Sequence, residues 1–379
     1  MNGLFPTKQH RSHYHHRKSG LLQHLHIDLS LLFLLICLSS IGIIVLMSAG
    51  HEDWNLLQRQ VTRLGLAFFA MFIMAQIPPH ILKMFAPWLF LLGTLLLLGV
   101  LFIGDMGKGA QRWLNLGFFR FQPSELLKLA TPMMVAWYLA ERRLPPSFKH
   151  TVIATLFIAI PTVLIAKQPD LGTAILIASS GIAVLFLAGI SWRIIFAVAA
   201  ACGALAPLLW TFFMKAYQKQ RVLTFLNPEE DPLGSGYHII QSKIAIGSGG
   251  LDGKGWMHGS QARLEFLPES STDFIFAVFS EEFGLIGGIA LLSIYLLIFI
   301  RSIYIATQAQ DTFCRLLAGS LSFTFFIYLF VNVGMVTGIL PVVGVPLPLV
   351  SYGGTSMVTL LIGFGILMSI HTHRKLLSS

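Results

Sequence analysis

Asp273 stands where a Gly-rich polar stretch gives way to the apolar run DFIFAVFSEEFGLIGG. A carboxylate at such a boundary has two uses. It can cap the helix that follows, whose dipole and free N–H groups favour negative charge, with Ser271 and Thr272 as competing caps. Alternatively, it can face a partly dehydrated cavity, where a raised pKa lets it take a proton from a sugar hydroxyl. Position alone leaves both open. Glu281 and Glu282 follow about two turns deeper, Glu281 on roughly the face of Asp273 and Glu282 turned away. Acids at that depth must face the bundle interior, a wet cleft or a buried base.

A second group lies in GDMGKGAQRWLNLGFFRFQPSELLKLA, residues 104–130. Lys108 and Arg112 sit in a Gly-rich turn, where charge-assisted bonds can hold phosphate oxygens. Pro123 suits the first turn of the next helix, and Glu125 and Lys128, three apart on one face, are placed to pair inside the membrane. A buried ion pair joining helices and a substrate contact are equally open readings of those two. KQPDLGT at 167–173 supplies Gln168 and Asp170, the latter also a candidate cap. GILPVVGVPLPLVSYGGTS, which contains Ser351, can form a broken or re-entrant element only where protein or water covers it. GSGG and GKG at 247–255 do not make a phosphate-binding Walker loop, since the GxxxxGK[ST] order is absent.

The elements that must carry these groups follow from composition. Mean hydropathy is +0.73, and 55% of the 379 residues are hydrophobic against 11% charged. That leaves too little polar surface for a water-exposed shell, and the apolar residues come in long runs rather than the alternation of a barrel. The predicted fold is therefore all-α, a polytopic membrane helix bundle of about ten spans. The candidates are 29–49, 62–77, 87–103, 123–140, 151–167, 171–190, 194–214, 273–300, 313–335 and 352–370. Lys8, Arg17, Lys83, Arg142, Arg143, Arg301 and Arg315 fall on one side, against fewer cations such as Arg59, Lys108 and Arg120 on the other; this predicts cytosolic termini.

The same bias accounts for the net charge of +9 without nucleic acid as a partner. Residues 1–27 read as a His- and Arg-rich cytosolic tail, 28–375 as the membrane domain and 376–379 as a cytosolic end, with no cleavable signal. The stretch 215–272 is predicted to be a long outer loop without strong periodicity except around 237–246. Cys37, Cys202 and Cys314 lie in or beside apolar runs without metal-ligand spacing and read as small buried hydrophobes.

In order along the chain, GKGAQRWLNLG with QPSELLKLA, QPDLGTA, DPLGSGYHIIQSKIAIGSGGLDGKGW, LEFLPESSTDFIFAVFSEEFGLIGG and NVGMVTGILPVVGVPLPLVSYGGTS resemble the SEDS family (shape, elongation, division and sporulation). The likeness covers residues 24–375, and the LEFLPE and GYHIIQS runs are similar to its rod-shape branch rather than its division branch. Thr355 departs from a Ser common in the family but keeps the hydroxyl. The resemblance implies a peptidoglycan glycosyltransferase that joins lipid II units by β-1,4 bonds outside the cytoplasmic membrane and releases undecaprenyl pyrophosphate. It implies Asp273 as the essential acid. Lys108, Arg112, Glu125, Lys128, Gln168, Asp170, His238, Gln241 and Ser351 are the expected substrate-contacting residues. The implied partners are lipid II, the growing glycan strand, a class B penicillin-binding protein and other membrane proteins of the elongation complex.

The chemistry agrees with that expectation. A weakly acidic hydroxyl attacking an anomeric carbon benefits from a positioned carboxylate, and a departing pyrophosphate from positive charge. No cofactor is demanded by the motifs; a divalent cation, Mg or Mn, at the pyrophosphate stays open. A lipid II flippase and a noncatalytic scaffold of the elongation complex are the competing readings, since a bundle with polar intramembrane residues and a Pro/Gly-broken helix also suits alternating access.

Overall fold

The computed structural model describes residues 25–107, 110–115, 120–214, 216–227, 235–264, 266–267 and 269–373. Most of the predicted cytosolic tail, Lys108 and the last residues lie outside this set. Each predicted span falls on a helix: α1 (Leu29–Ala49), α2 (Trp54–Gln76), α3 (Pro79–Ile103), α4 (Pro123–Ala140), α5 (Phe148–Lys167), α6 (Leu171–Leu187) and α7 (Trp192–Leu208). After the shorter α8 (Ala216–Leu226), α9 (Ser235–Gly249) and α10 (Ser260–Arg263) come α11 (Ile275–Thr307), α12 (Thr312–Val336) and α13 (Thr355–Thr372).

Helices α1, α3, α5, α11, α12 and α13 are long and apolar enough to cross a membrane, and α6 is a shorter apolar helix. The chain is a multi-pass membrane protein with an all-helical bundle. Phe33, Phe69, Trp88, Phe148 and Phe196 stand exposed on its outside, as a lipid-covered surface requires. Buried side chains of α4, α12 and α13 make the centre, where Phe325 meets Phe364 edge-on with ring centroids 5.1 Å apart.

Four expectations need correction. The span placed at 62–77 starts at Trp54, because the Asp53 side chain accepts from Asn55 N and caps a longer helix that takes in Arg59, Gln60 and Arg63. The span placed at 87–103 starts at Pro79, whose missing N–H costs nothing in a first turn, so that Pro87 lies inside it. The presumed turn at 104–122 contains antiparallel strands β1 (Asp105–Gly107), β2 (Ala110–Asn115) and β3 (Arg120–Phe121), with β2 in the middle. The stretch 215–272 contains α8, α9 and α10 rather than only a helical patch at 237–246.

Helix α11 is broken. Gly284 has φ 63 and ψ −162, a conformation open to glycine but strained for any residue with a Cβ. The outer segment fills the gap. Lys254 N donates to Glu281 O at 3.0 Å and Gly255 N to Glu282 O at 2.9 Å, while Leu285 N and Ile286 N donate to Gly250 O and Leu251 O at 3.0 and 3.2 Å. Backbone groups released by the break thus find partners at once, as burial demands. The two acids add to the seam. Glu281 is fully buried and accepts from Lys254 Nζ at 2.6 Å and from Ser260 N and Oγ, both at 2.9 Å. Ser48 Oγ donates to Glu282 Oε1.

The far end of the bundle is closed by Asp28, just ahead of α1. Its carboxylate accepts from Leu31 N at 2.9 Å, Arg301 Nη2 at 2.6 Å and His371 Nδ1 at 2.8 Å, joining the start of α1 to α11 and to the last turn of α13. Burial pushes the carboxyl pKa up, but the bonds from His371, Arg301 and Leu31 win and hold it well below the usual carboxylate range. A depressed pKa contributes stability that is present above the unfolded value near 4 and fades as pH falls below it. Replacing Asp28 by Ala removes a cap and leaves Arg301 unpaired, so thermal unfolding at neutral pH should show a loss of about 2–4 kcal/mol. The gap between variant and parent should narrow on acidification; an equal gap at pH 7 and at pH 3 would contradict the ion-pair account.

Candidate functional site

Asp273 does not cap a helix. α11 begins at Ile275 and its N-cap is Phe274; among the described residues no side-chain bond caps it, which corrects the capping reading for Asp273, Ser271 and Thr272 alike. Asp273 is half-buried in a turn held by Thr272 N and Phe274 N, which donate to Glu269 O at 3.1 and 3.3 Å. Neighbouring elements hold the turn by its carbonyls. Ser351 Oγ donates to Thr272 O at 2.6 Å, Tyr352 N to Ser271 O at 2.8 Å, and Asn332 Nδ2 to Asp273 O at 2.9 Å.

Two of those ties come from the proline- and glycine-rich segment between α12 and α13 and the third from Asn332 in α12; the segment is irregular over 341–354, with Val345 and 347–351 buried in protein. Tyr295 Oη donates to Pro348 O at 2.6 Å, Gln60 Nε2 to Ser351 O at 3.2 Å, Leu347 N to Ser351 Oγ at 2.7 Å and Asn332 Nδ2 to Val345 O at 2.8 Å. Gly344, with φ 74, passes directly beside the carboxylate: a Cβ there would lie 3.4 Å from Asp273 Oδ2. Ser351 was expected to contact substrate; its hydroxyl is instead buried and engaged on both sides by backbone.

The other flank of that segment carries the second group. The start of α6 rests on it, since a Cβ on Gly172 would lie 2.7 Å from Val343 O and 3.2 Å from Val345 Cγ2. Asp170 caps α6 by accepting from Thr173 N at 3.2 Å, and its other oxygen lies 3.4 Å from Arg112 Nε. Arg112, on β2, also donates to Pro169 O at 3.0 Å. Residues 343–345 therefore have Asp273 on one side and the start of α6, with its Arg112–Asp170 pair, on the other. His238 arrives from α9, its ring stacked on Phe274 at 5.5 Å between centroids, one residue from Asp273. Gln241 is half-buried on the same helix.

Deeper down, Lys128 Nζ and Glu125 Oε1 pair at 2.8 Å, both residues buried, and Lys128 lies 5.4 Å from the centre of the Tyr328 ring. The pairing expected from their spacing is present, and a cleft lined by Lys128, Thr324, Tyr328 and Thr359 runs beside it. Gln168 is buried and donates to Leu97 O at 3.2 Å, a tie between α3 and the end of α5. Glu281, read as sharing the face of Asp273, is fully buried and turned into the seam with Lys254 and Ser260. Asn332, Gln60, Tyr295 and Lys254 escaped the sequence reading. For Asn332 the signal in the sequence was an Asn inside the apolar run 313–335, because such a group is costly unless it bonds.

Among the described residues, no group of three or more His, Cys, Asp or Glu side chains converges as metal ligands. A divalent cation would find no ready protein cage there and would take most of its oxygens from substrate phosphates and water.

A multi-pass helical bundle with a half-buried carboxylate just ahead of one spanning helix, an arginine–aspartate ion pair at the start of another and an irregular segment between them defines the class: a polytopic membrane protein with polar groups gathered at one end of its bundle. The chain belongs to the FtsW/RodA/SpoVE family of cell cycle proteins, whose model matches residues 21–376. It is 54% identical over 353 residues to peptidoglycan glycosyltransferase MrdB of Escherichia coli (strain K12), covering 93% of this chain and 95% of that one. It is 32% identical to peptidoglycan glycosyltransferase RodA of Treponema pallidum (strain Nichols), over 92% of this chain and 98% of the relative. Among solved structures, a chain from a peptidoglycan synthase complex that coordinates polymerization and crosslinking superposes with a TM-score of 0.79 at 34% identity, over 91% of this chain and 97% of that chain. Thermus thermophilus rod shape determining protein RodA gives 0.70 at 28%, over 92% and 98%.

Removing one partner of a buried ion pair strands the other charge. Lys128→Met should therefore lower stability by about 3–5 kcal/mol in thermal or denaturant unfolding, and the double change Lys128→Met with Glu125→Gln should recover most of it. Additive losses would show that the two side chains are not energetically coupled.

Proposed function

We propose that this chain is a peptidoglycan glycosyltransferase that polymerises lipid II into β-1,4-linked glycan during cell elongation. The observation that carries the reading is Asp273 itself: a half-buried carboxylate, held through its backbone just ahead of the spanning helix α11 and outside the cap of that helix. In the step assigned to it, the acceptor 4-hydroxyl attacks C1 of the lipid-linked donor sugar. Asp273 takes the hydroxyl proton, the C1–O bond to pyrophosphate breaks, and undecaprenyl pyrophosphate leaves with the bonding electrons. A single displacement inverts C1 and yields the β bond. The carboxylate supplies general-base help worth about 10²–10⁴-fold in such reactions.

Arg112 supports the leaving pyrophosphate. Its guanidinium is pre-oriented by Pro169 O and Asp170, so planar donors are ordered before substrate arrives, although Asp170 offsets part of its charge. Lys108 is assigned the same role from sequence. The Glu125–Lys128 pair, His238 and Gln241 are assigned to substrate contact. No cofactor is assigned; a divalent cation, Mg or Mn, if bound, would be held by substrate oxygens and water and would supply charge neutralisation to the leaving group.

The end of the bundle that carries Asp273 faces outside and both termini face the cytosol, because Lys83, Arg142, Arg143 and Arg301 gather towards the opposite, Asp28 end. The partner is a class B penicillin-binding protein, which would supply the acyl transfer for which this chain has no Ser-x-x-Lys set with its companion motifs. The solved relative from a synthase complex that couples polymerization to crosslinking supports that pairing.

The test is glycan synthesis from purified lipid II by the full chain with its transpeptidase partner. Asp273→Asn, folded and membrane-inserted, should lose at least about 100-fold in polymer formed, as expected for removal of a general base. Full polymerisation by that variant would refute the assignment. Transfer of lipid II between leaflets without polymer would assign transport instead, and partner binding with neither activity would leave a scaffold.

A further inference from the structure

We propose that Asn332 is a positioning residue of the polymerisation step, fixing the Asp273 carboxylate by holding that residue's own carbonyl. The inference rests on the role of Asp273 proposed above. Asn332 lies near the end of α12, is fully buried, and uses one amide nitrogen twice, donating to Asp273 O at 2.9 Å and to Val345 O at 2.8 Å. One side chain thereby links three parts of the site: the helix that carries it, the turn that carries the carboxylate, and the irregular segment whose Gly344 lies beside that carboxylate.

The chemistry of the side chain argues that its N–H groups are what is retained. Asn332 Oδ1 has no hydrogen-bond partner among the described residues, so burying the amide leaves an acceptor unpaired. A leucine would fill similar space without that cost. The return on the amide is two bonds to carbonyls that have left regular structure. Ser351 makes the neighbouring tie, from Oγ to Thr272 O, one residue earlier in the same turn. Two adjacent carbonyls held by two separate elements fix both the position and the direction of the turn. A base must be placed within tenths of an ångström of the proton it takes, and a displacement of about 1 Å can cost 100-fold in rate.

The test compares Asn332→Leu, which keeps the volume and removes both donors, with Asn332→His, which keeps a nitrogen donor at the same distance from Cβ. Asp273→Asn is the control, and all are assayed as the full chain with its transpeptidase partner on lipid II. The expected result is a fall in kcat of about tenfold or more for Asn332→Leu with KM within about twofold, partial recovery in Asn332→His, and unchanged membrane insertion. Parental kcat in a folded Asn332→Leu would overturn the proposal, as would losses shared equally between kcat and KM with no recovery by His. If Asn332→Leu fails to fold, Ser351→Ala decides on the same criteria, since it frees the adjacent carbonyl. The two layers of the argument fail separately: an active Asp273→Asn removes the polymerase site itself, whereas an inactive Asp273→Asn beside an unimpaired Asn332→Leu removes only the positioning role.

Discussion

A backbone amide or carbonyl inside a bilayer has no water to bond, so any residue that leaves a helix there must be tied by another part of the chain. This constraint governs the arrangement around Asp273. The chain leaves helical geometry at Gly284, along 341–354 and at the turn before α11, and each departure is answered by named donors and acceptors. The segment 250–255 closes the first, Tyr295, Gln60 and Asn332 the second, and Ser351, Tyr352 and Asn332 the third. Asn332 and the 351–352 pair serve two departures at once, which is why the turn and the irregular segment behave as one unit.

The rigidity so produced has a chemical use. A carboxylate on a loose outer loop would sample many positions, and the entropy of orienting it would fall on the reaction step. Here the half-buried Asp273 projects from a turn whose carbonyls are held, beside a glycine whose positive φ sets the path of the neighbouring segment and a second element carrying an Arg–Asp pair. The Glu281–Lys254 seam extends this order outward, fastening the outer segment to the same helix. Polar groups that look catalytic by type, Glu281 and Ser351 among them, are occupied in maintaining the frame.

Much of the fold was legible because the lipid requirement is written in long apolar runs, and every predicted span falls on a helix. Helix ends were less legible where polar residues belong to a spanning helix: Arg59, Gln60 and Arg63 lower the local hydropathy, although Asp53 and the amphipathic face carry α2 through them. The pairing of Glu125 with Lys128 and the cap at Asp170 were among the readings that spacing offered, because both contacts are local in sequence. What spacing could not supply was contact across distant segments. Asp273 resembles a cap in sequence; the three-dimensional competition from Ser351 and Asn332, which hold its turn short of the helix, decides otherwise. The break at Gly284 was equally hidden, since its partners lie some thirty residues earlier in a stretch that reads as loop.

The most direct measurement is a structure of the full chain with its transpeptidase partner and a nonreactive lipid-linked disaccharide in place, with the acceptor sugar resolved. The account predicts an Asp273 carboxylate oxygen about 2.6–3.2 Å from the acceptor 4-hydroxyl, directly or through one water, with the pyrophosphate on the Arg112 side of residues 343–345. An acceptor hydroxyl seated against a different acid or base, with Asp273 walled off from both sugars, would contradict it.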